Sequence, residues 1–131
     1  MSLLRTRPVA TPAMIATFDD AATIAAALAF EAALACAQAA EGVIAADSAE
    51  AIATAAGRLA LDPAELAEAA ALAGTLAIPL VAQLRATLSG EAAAALHRGA
   101  TSQDIADTVL MMQVRQAATL LLADAARVTD A

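Results

Sequence analysis

The side chains in this sequence that are best suited to chemistry lie in one short polar segment, residues 97–104. The segment reads His-Arg-Gly-Ala-Thr-Ser-Gln-Asp, and His97 is the only histidine among the 131 residues. Gly99 is typical of a helix end, because glycine adopts a left-handed backbone without a steric penalty from a Cβ atom. One apolar helical pattern stops before this segment and the longest in the chain starts after it. The segment therefore predicts a turn between two helices that carries an imidazole.

The residues after this turn predict the start of a helix. Thr101 or Ser102 can cap it by accepting a hydrogen bond from its free N–H groups, and Thr101 with Asp104 has the spacing of a capping box. The turn then brings a helix N-terminus, two hydroxyls, the Gln103 amide and the His97 imidazole to nearly the same place. Such a place suits a carboxylate or a phosphate. From the residues alone, capping and ligand binding both stay open for the hydroxyls, and a purely structural position stays open for His97.

The composition indicates an all-α protein. The length is sufficient for one domain with a hydrophobic core. The chain is 61% hydrophobic but only 2% aromatic, with neither Trp nor Tyr. Much of the hydrophobic fraction is alanine, the best helix former, whereas the aromatic residues that favour strands are nearly missing.

The charge and the cysteine content exclude several classes of partner and site. The net charge is -7 and the seven basic residues are scattered arginines, so the basic stripe of a nucleic-acid-binding protein is missing. Cys36 is the single cysteine, which fits a reducing cytoplasm and allows no intramolecular disulfide. Glu31 at the centre of residues 21–40, together with the weakly hydrophobic alanines, argues against a membrane span. No residues have metal-ligand spacing and no glycine-rich phosphate loop occurs, so we predict neither a metal nor a cofactor.

Helix start and stop signals divide the chain into three parts. Residues 1–16 hold two prolines and no periodicity, which predicts an extended arm. Residues 17–100 predict a helical domain, and residues 101–131 predict a long helix. Within the domain, the predicted helices begin at Thr17 (as cap), Asp47-Ser48, Asp62-Pro63, Pro79 and Glu91, and they end near Glu41, Gly57, Gly74, Ser89-Gly90 and Leu96.

The last helix is apolar on most sides, which predicts burial among several partners. One stripe consists of Ile105, Val109, Met112, Gln116 and Leu120, and Leu110, Val114, Leu121 and Leu122 add apolar surface elsewhere. Two explanations stay open: the helix packs into an oligomer, or the rest of its domain lies outside this sequence. The end at Thr129-Asp130-Ala131 lacks Gly or Pro to stop the helix, which leads us to expect a truncated chain.

Residues 97–108 resemble the first signature region of the fumarase/aspartase superfamily, which includes adenylosuccinate lyase, argininosuccinate lyase and class II fumarase. Residues 28–35 resemble its first long helix, and residues 77–81 resemble the segment before its fourth. The resemblance covers most of residues 11–128 in the right order. The motif form His-x-Gly-Ala-Thr-Ser-Gln-Asp is most similar to the cycloisomerase branch, whose members lactonise 3-carboxymuconate in the protocatechuate branch of aromatic degradation.

The resemblance implies both a fold and an assembly. The fold is all-α: the small helical N-terminal domain of the superfamily plus the start of the first long bundle helix. In relatives that bundle forms the core of a homotetramer, which accounts for an apolar last helix. The implied substrate is a small dicarboxylate or tricarboxylate, without a cofactor, in the cytoplasm.

The resemblance also implies roles for the residues of the turn. Thr101 and Ser102 are expected to bind a substrate carboxylate, with Gln103 as a further donor. His97 is expected to bind the substrate or to assist electrostatically, and Asp104 to order the site. Position 98 departs from relatives, which often have an apolar or aromatic residue there. Arg98 is either an extra carboxylate partner or, as we prefer, a solvated surface charge.

The superfamily's catalytic base lies in a later signature region, so the resemblance places it beyond Ala131. Its active sites combine regions from three subunits, and we therefore expect this chain alone to be inactive. Two other functions stay open. One is a different superfamily lyase such as adenylosuccinate lyase, and the other is a non-catalytic helical interaction module.

Overall fold

The computed structural model describes residues 3–130, which form eight α-helices and contain no β-strand. The all-α prediction is therefore confirmed. In chain order the helices are α1 (Leu3–Thr6), α2 (Pro12–Thr17), α3 (Asp20–Ala40), α4 (Ala46–Arg58), α5 (Pro63–Ala73), α6 (Ala77–Ala86), α7 (Gly90–Ala95) and α8 (Ser102–Thr129).

The core surrounds α3, which packs against α4, α5 and α8. Its alanines leave room for side chains of other helices, and Ile52 of α4 together with Leu80 and Leu84 of α6 are fully buried. Within residues 3–130, α3 is also the one helix long and apolar enough to cross a membrane by length and composition, a test that core helices of soluble proteins also pass.

The predicted start and end of α5 are confirmed. Oδ1 of Asp62 accepts hydrogen bonds from the backbone N–H groups of Ala64 at 2.7 Å and Glu65 at 3.2 Å. Pro63 stands at the first helical position, where its missing N–H costs no hydrogen bond. Gly74 ends the helix with a left-handed φ of 76°.

The prediction of an extended arm over residues 1–16 is wrong for most of that segment, since α1 and α2 lie in it. Residues 1 and 2 lie outside the described residues. The hydroxyl of Thr11 accepts a hydrogen bond from the N–H of Met14 at 3.2 Å, and Pro12 follows at the first helical position. These two residues are a helix start signal that the short apolar pattern obscured, and packing of α2 on α8 stabilises the helix.

Three predicted helix starts are also wrong by one or two residues. Thr17 does not cap α3, because it is the buried last residue of α2; Asp19 caps α3 instead, accepting from the N–H of Ala22 at 2.8 Å. α4 begins at Ala46 without a side-chain cap. α6 begins two residues before Pro79, since proline is tolerated throughout the first turn, where N–H groups have no intrahelical partner.

The long helix α8 buries one narrow row of residues against the rest of the chain. This row is Ile105, Val109, Gln113 and Ala117. It differs from the predicted stripe after Val109, because Gln116 is exposed and Met112 and Leu120 are only half-buried. The other apolar side chains of the helix are exposed, among them Leu110, Met111, Val114, Leu121, Leu122 and Val128. Burial of α8 on most sides is therefore not achieved within residues 3–130.

Candidate functional site

His97 lies in the turn between α7 and α8 and is anchored by a carboxyl group of α3. Its Nδ1 atom lies 2.6 Å from Oε1 of Glu31, across 66 residues of sequence. The Glu31 side chain is 0% exposed and the His97 side chain 16% exposed. Among the described residues, Nε2 of His97 has no hydrogen-bond partner. The imidazole is therefore held at one nitrogen and available at the other.

The buried carboxyl group of Glu31 has an unusual electrostatic environment. Burial raises its pKa above the ordinary value of 4.5, while the hydrogen bond and charge of His97 and the charge of Arg85 act in the opposite direction. One carboxyl oxygen, Oε2, is buried and has no hydrogen-bond partner within residues 3–130. A carboxylate in this position depends on His97 as its main compensating group.

Two further side chains fix the backbone of the turn with three hydrogen bonds. Nε2 of Gln38, on α3, donates to the carbonyl oxygen of Arg98 at 2.6 Å. The guanidinium of Arg85, on α6, donates to the carbonyl oxygens of Ala93 at 2.9 Å and Leu96 at 3.2 Å. These bonds hold a strained conformation, because His97 has a left-handed φ of 60°, which is uncommon for a residue other than glycine.

Arg98 lies on the surface of the chain. Its guanidinium donates to the carbonyl oxygen of Val43, in the loop between α3 and α4, at 3.3 Å. Its side chain is exposed. Within the described residues, Arg98 is therefore a surface charge, which is the alternative that we preferred. Its hydrogen bond to Val43 also ties the turn to the loop between α3 and α4.

The N-terminus of α8 is organised by Asp104. Oδ2 of Asp104 accepts hydrogen bonds from the backbone N–H of Thr101 at 2.7 Å and from its hydroxyl at 2.8 Å. The predicted capping box is present. These two bonds hold the pKa of Asp104 below its ordinary value of 3.8, and the charge of His97 adds to the effect. The charge of His97 therefore acts on a residue of the first turn of α8.

The hydroxyls and the amide of this N-terminus differ in their availability. The Thr101 hydroxyl directs its proton to Asp104. Gln103 is exposed, and its Nε2 atom donates along the helix to Asp107 at 2.7 Å. Ser102 is half-buried and lines a cavity of about 270 Å³ with Thr23 and side chains of α6 and α8. His97, Thr101 and Gln103 do not line this cavity, so Ser102 is the one predicted site residue that does. A larger groove of about 660 Å³ lies elsewhere, along α4.

Comparisons with known proteins identify relatives of this chain. No protein-family model matches the chain. The chain is 49% identical over 118 residues to the 3-carboxy-cis,cis-muconate cycloisomerase of Bradyrhizobium diazoefficiens. The aligned region covers 88% of this chain and 26% of that protein. The crystal structure of the 3-carboxy-cis,cis-muconate lactonizing enzyme from Pseudomonas putida matches 94% of this chain and 29% of that one, with a TM-score of 0.85 and 41% identity.

This chain is related to the 3-carboxy-cis,cis-muconate cycloisomerases. It has the fold of the corresponding helical part of the fumarase/aspartase superfamily. It is also 41% identical over 112 residues to the nitrosuccinate lyase of Streptomyces davaonensis, covering 83% of this chain and 24% of that enzyme. The chain spans about a quarter of the length of the curated relatives that it matches.

Glu31 is the residue of this site that the sequence did not reveal. Its charge interrupts an apolar, alanine-rich helix, and we interpreted that charge only as an argument against a membrane span. A glutamate in such a helix needs a partner, and His97 is the single histidine available. The signal was therefore present in the sequence, but it did not identify which basic residue would pair with Glu31.

In residues 3–130, no three His, Cys, Asp or Glu side chains are placed to hold a metal ion.

Proposed function

We propose that this chain supplies a carboxylate-binding corner to an enzyme that lactonises 3-carboxy-cis,cis-muconate to γ-carboxymuconolactone, in the β-ketoadipate route of aromatic degradation. One observation carries the proposal: an anchored imidazole lies in the turn that leads into the capped N-terminus of α8, in a chain 49% identical to a cycloisomerase. The proposed location is the cytoplasm, where soluble metabolic enzymes of this type act.

The proposed roles follow from the availability of each donor. The hydroxyl of Ser102 and the free N–H groups of the first turn of α8 bind a substrate carboxylate, which the helix dipole also favours. Nε2 of His97 contacts the same substrate. Thr101 and Asp104 order the helix start, and Thr101 reaches the ligand only if its hydroxyl leaves Asp104. Gln103 is a further donor once its amide turns from Asp107.

In lactonisation, a carboxylate oxygen of the substrate adds to a carbon–carbon double bond. Negative charge then develops on another carboxylate, which becomes an aci-carboxylate before a proton is delivered to carbon. Donors directed at its two oxygens stabilise the charge where it develops and so lower the barrier. We assign the proton-transferring group to no residue of this chain; it comes from the remainder of the complete enzyme, which we propose to be a homotetramer. The exposed apolar side chains of α8 support such an assembly.

The test is lactonisation of 3-carboxymuconate by the complete protein, followed by ultraviolet absorbance. Replacing Ser102→Ala removes one hydrogen bond to a charged group, and KM should rise about tenfold. Ser89→Ala is the matched control, because Ser89 is exposed and makes no capping bond in α7. A wild-type protein without turnover, or a Ser102→Ala variant with an unchanged KM, contradicts the proposal.

A second candidate function is β-elimination from a succinyl substrate. It is favoured by the identity to nitrosuccinate lyase and by 37% identity over 114 residues to the N-acetyl-S-(2-succino)cysteine lyase of Enterococcus italicus. Lactonisation and β-elimination pass through the same doubly charged carboxylate. The proposed carboxylate-binding site around Ser102 and His97 would therefore suit either reaction. Comparing kcat/KM for 3-carboxymuconate, nitrosuccinate, adenylosuccinate and a succinylated thiol distinguishes these functions. Carboxylate binding without turnover of any of them would instead indicate the non-catalytic helical module.

A further inference from the structure

We propose that Glu31 is a positioning residue for His97. The two side chains together hold two protons and carry no net charge. In this state the Nε2–H group of His97 donates a hydrogen bond to an anionic oxygen of the substrate. The inference rests on the proposed function for the identity of that substrate, but the protonation of the pair is a separate property of the protein. Neither residue transfers a proton to the substrate in this proposal.

The geometry places the two protons. Nδ1 of His97 and Oε1 of Glu31 are 2.6 Å apart, the short distance of a charge-assisted hydrogen bond, and one proton lies between them. In the proposal the second proton lies on Nε2, which has no hydrogen-bond partner among the described residues. Whether the shared proton is closer to oxygen or to nitrogen does not change the outcome, because Nε2 carries hydrogen in both cases.

Burial disfavours loss of either proton. The Glu31 carboxyl group is 0% exposed, and its Oε2 atom accepts no hydrogen bond from the described residues. A net negative pair would leave buried charge with little compensation. The raised pKa of Glu31 has the same cause and the same direction. The neutral pair is therefore the form that the surrounding structure favours.

Two other charged groups act on the pair. Arg85 approaches it from α6, although its guanidinium is already bonded to the carbonyl oxygens of Ala93 and Leu96. Asp104 approaches it from α8, and the charge of His97 lowers the pKa of Asp104. These two charges oppose one another. The protonation of the pair is then determined mainly by burial and by the contact between its own members.

The protonation of the pair determines what Nε2 does for a ligand. With two protons, Nε2–H is a donor and the pair does not repel a carboxylate. After loss of one proton the pair is net negative and Nε2 is an acceptor, which opposes a bound carboxylate through both charge and hydrogen bonding. Substrate affinity is therefore expected to fall at alkaline pH, and the pH of that fall depends on Glu31.

The first experiment compares the pH dependence of KM in the complete wild-type protein and in Glu31→Gln. The amide is isosteric but cannot supply the negative charge that favours a protonated imidazole. Because the amide can also donate to Nδ1, as a protonated carboxyl group does, a neutral imidazole keeps its proton on Nε2 and the pair never becomes negative. The alkaline rise in KM should therefore be lost in Glu31→Gln. In the double variant with His97→Asn, Glu31→Gln should cause no further change.

Gln38→Met is the matched control for a merely structural role. It also removes a hydrogen bond from α3 to the turn, that of Nε2 to the Arg98 carbonyl oxygen, but it leaves the imidazole contact intact. We expect lower thermal stability in this variant with an unchanged pH midpoint. An alkaline rise in KM that persists in Glu31→Gln, or that is lost equally in Gln38→Met, overturns the proposal.

The second experiment does not depend on enzymatic activity. Magic-angle-spinning NMR of wild-type protein labelled with 15N-histidine reports whether each ring nitrogen carries a proton, and His97→Asn assigns the signals. We expect both nitrogens of His97 to show the protonated or strongly hydrogen-bonded shifts at neutral pH. An unprotonated Nε2 contradicts the proposed two-proton pair, even if the enzyme is active. If both nitrogens are protonated but the protein does not lactonise 3-carboxymuconate, the two-proton pair is supported and only the proposed function is contradicted.

Discussion

The side-chain amide of Gln113 donates a hydrogen bond of 3.0 Å to the hydroxyl of Thr23, which joins α8 to α3 across 90 residues of sequence. Gln113 is buried within the otherwise apolar row of α8. The Thr23 hydroxyl uses its own proton for the carbonyl oxygen of Asp19 at 2.8 Å, so it is free to accept from Gln113. Because a buried amide costs free energy unless it is bonded, this pair favours one register of α8 on α3.

Thr23→Val should destabilise the protein by about 1–3 kcal/mol, because it leaves the Gln113 amide buried without an acceptor. Thr23→Val combined with Gln113→Met should recover most of that loss, since neither polar group then remains. Urea unfolding of the two variants and the wild type measures both effects. A single variant within about 0.5 kcal/mol of the wild type would show that water replaces the hydroxyl.

The same substitution should have opposite signs at two glycines. Gly99 has a left-handed φ of 72°, whereas Gly57 lies in α4, and an added Cβ meets no atom within 4 Å at either position. Gly99→Ala should therefore cost about 1–2 kcal/mol through backbone strain. Gly57→Ala should stabilise by about 0.5–1 kcal/mol, because alanine loses less backbone entropy in a helix. Thermal unfolding of both variants checks the signs, and equal signs contradict the assignment of the turn.

Two leucines of neighbouring helices should respond differently to truncation. Leu80 on α6 is 0% exposed, and Leu80→Ala should destabilise by about 2–5 kcal/mol through lost burial and a residual cavity. Leu72 on α5 is 92% exposed, and Leu72→Ala should stay within about 0.5 kcal/mol of the wild type. The free energies of unfolding in urea distinguish the two. Comparable losses would mean that Leu72 packs against a surface outside residues 3–130.

The cap of α8 should weaken in acid. Because the folded-state pKa of Asp104 is lowered, its contribution is present above the ordinary value of 3.8 and is lost as the pH falls through the folded-state pKa. Asp104→Asn should lower Tm by a few degrees at neutral pH, and the difference from the wild type should disappear in strong acid. Asp47→Asn is the control, since α4 has no side-chain cap, and its Tm should change less. A difference for Asp104→Asn that is independent of pH argues against a charge effect.

Local signals in the sequence were sufficient for several elements of the fold. The Asp62-Pro63 start and the Gly74 end of α5 were predicted correctly, because each depends on residues within one turn of helix. The capping box of Thr101 and Asp104 was predicted for the same reason. The start of α3 was wrong, since Thr17 and Asp19 are both good caps and packing of α2 decided between them.

By itself, the sequence determined the helical class, the turn at Gly99 and the polar character of the segment that follows, because backbone preferences and capping act over a few residues. It did not determine which acidic group meets His97, which hydroxyl stays available, or which row of α8 is buried. Those features depend on contacts such as Glu31 to His97 and Gln113 to Thr23, 66 and 90 residues apart. In a chain rich in alanine, many helix faces are similarly apolar, so hydrophobic pattern alone does not select one packing. Buried polar side chains such as Glu31 and Gln113 favour one packing, because their hydrogen bonds need particular partners.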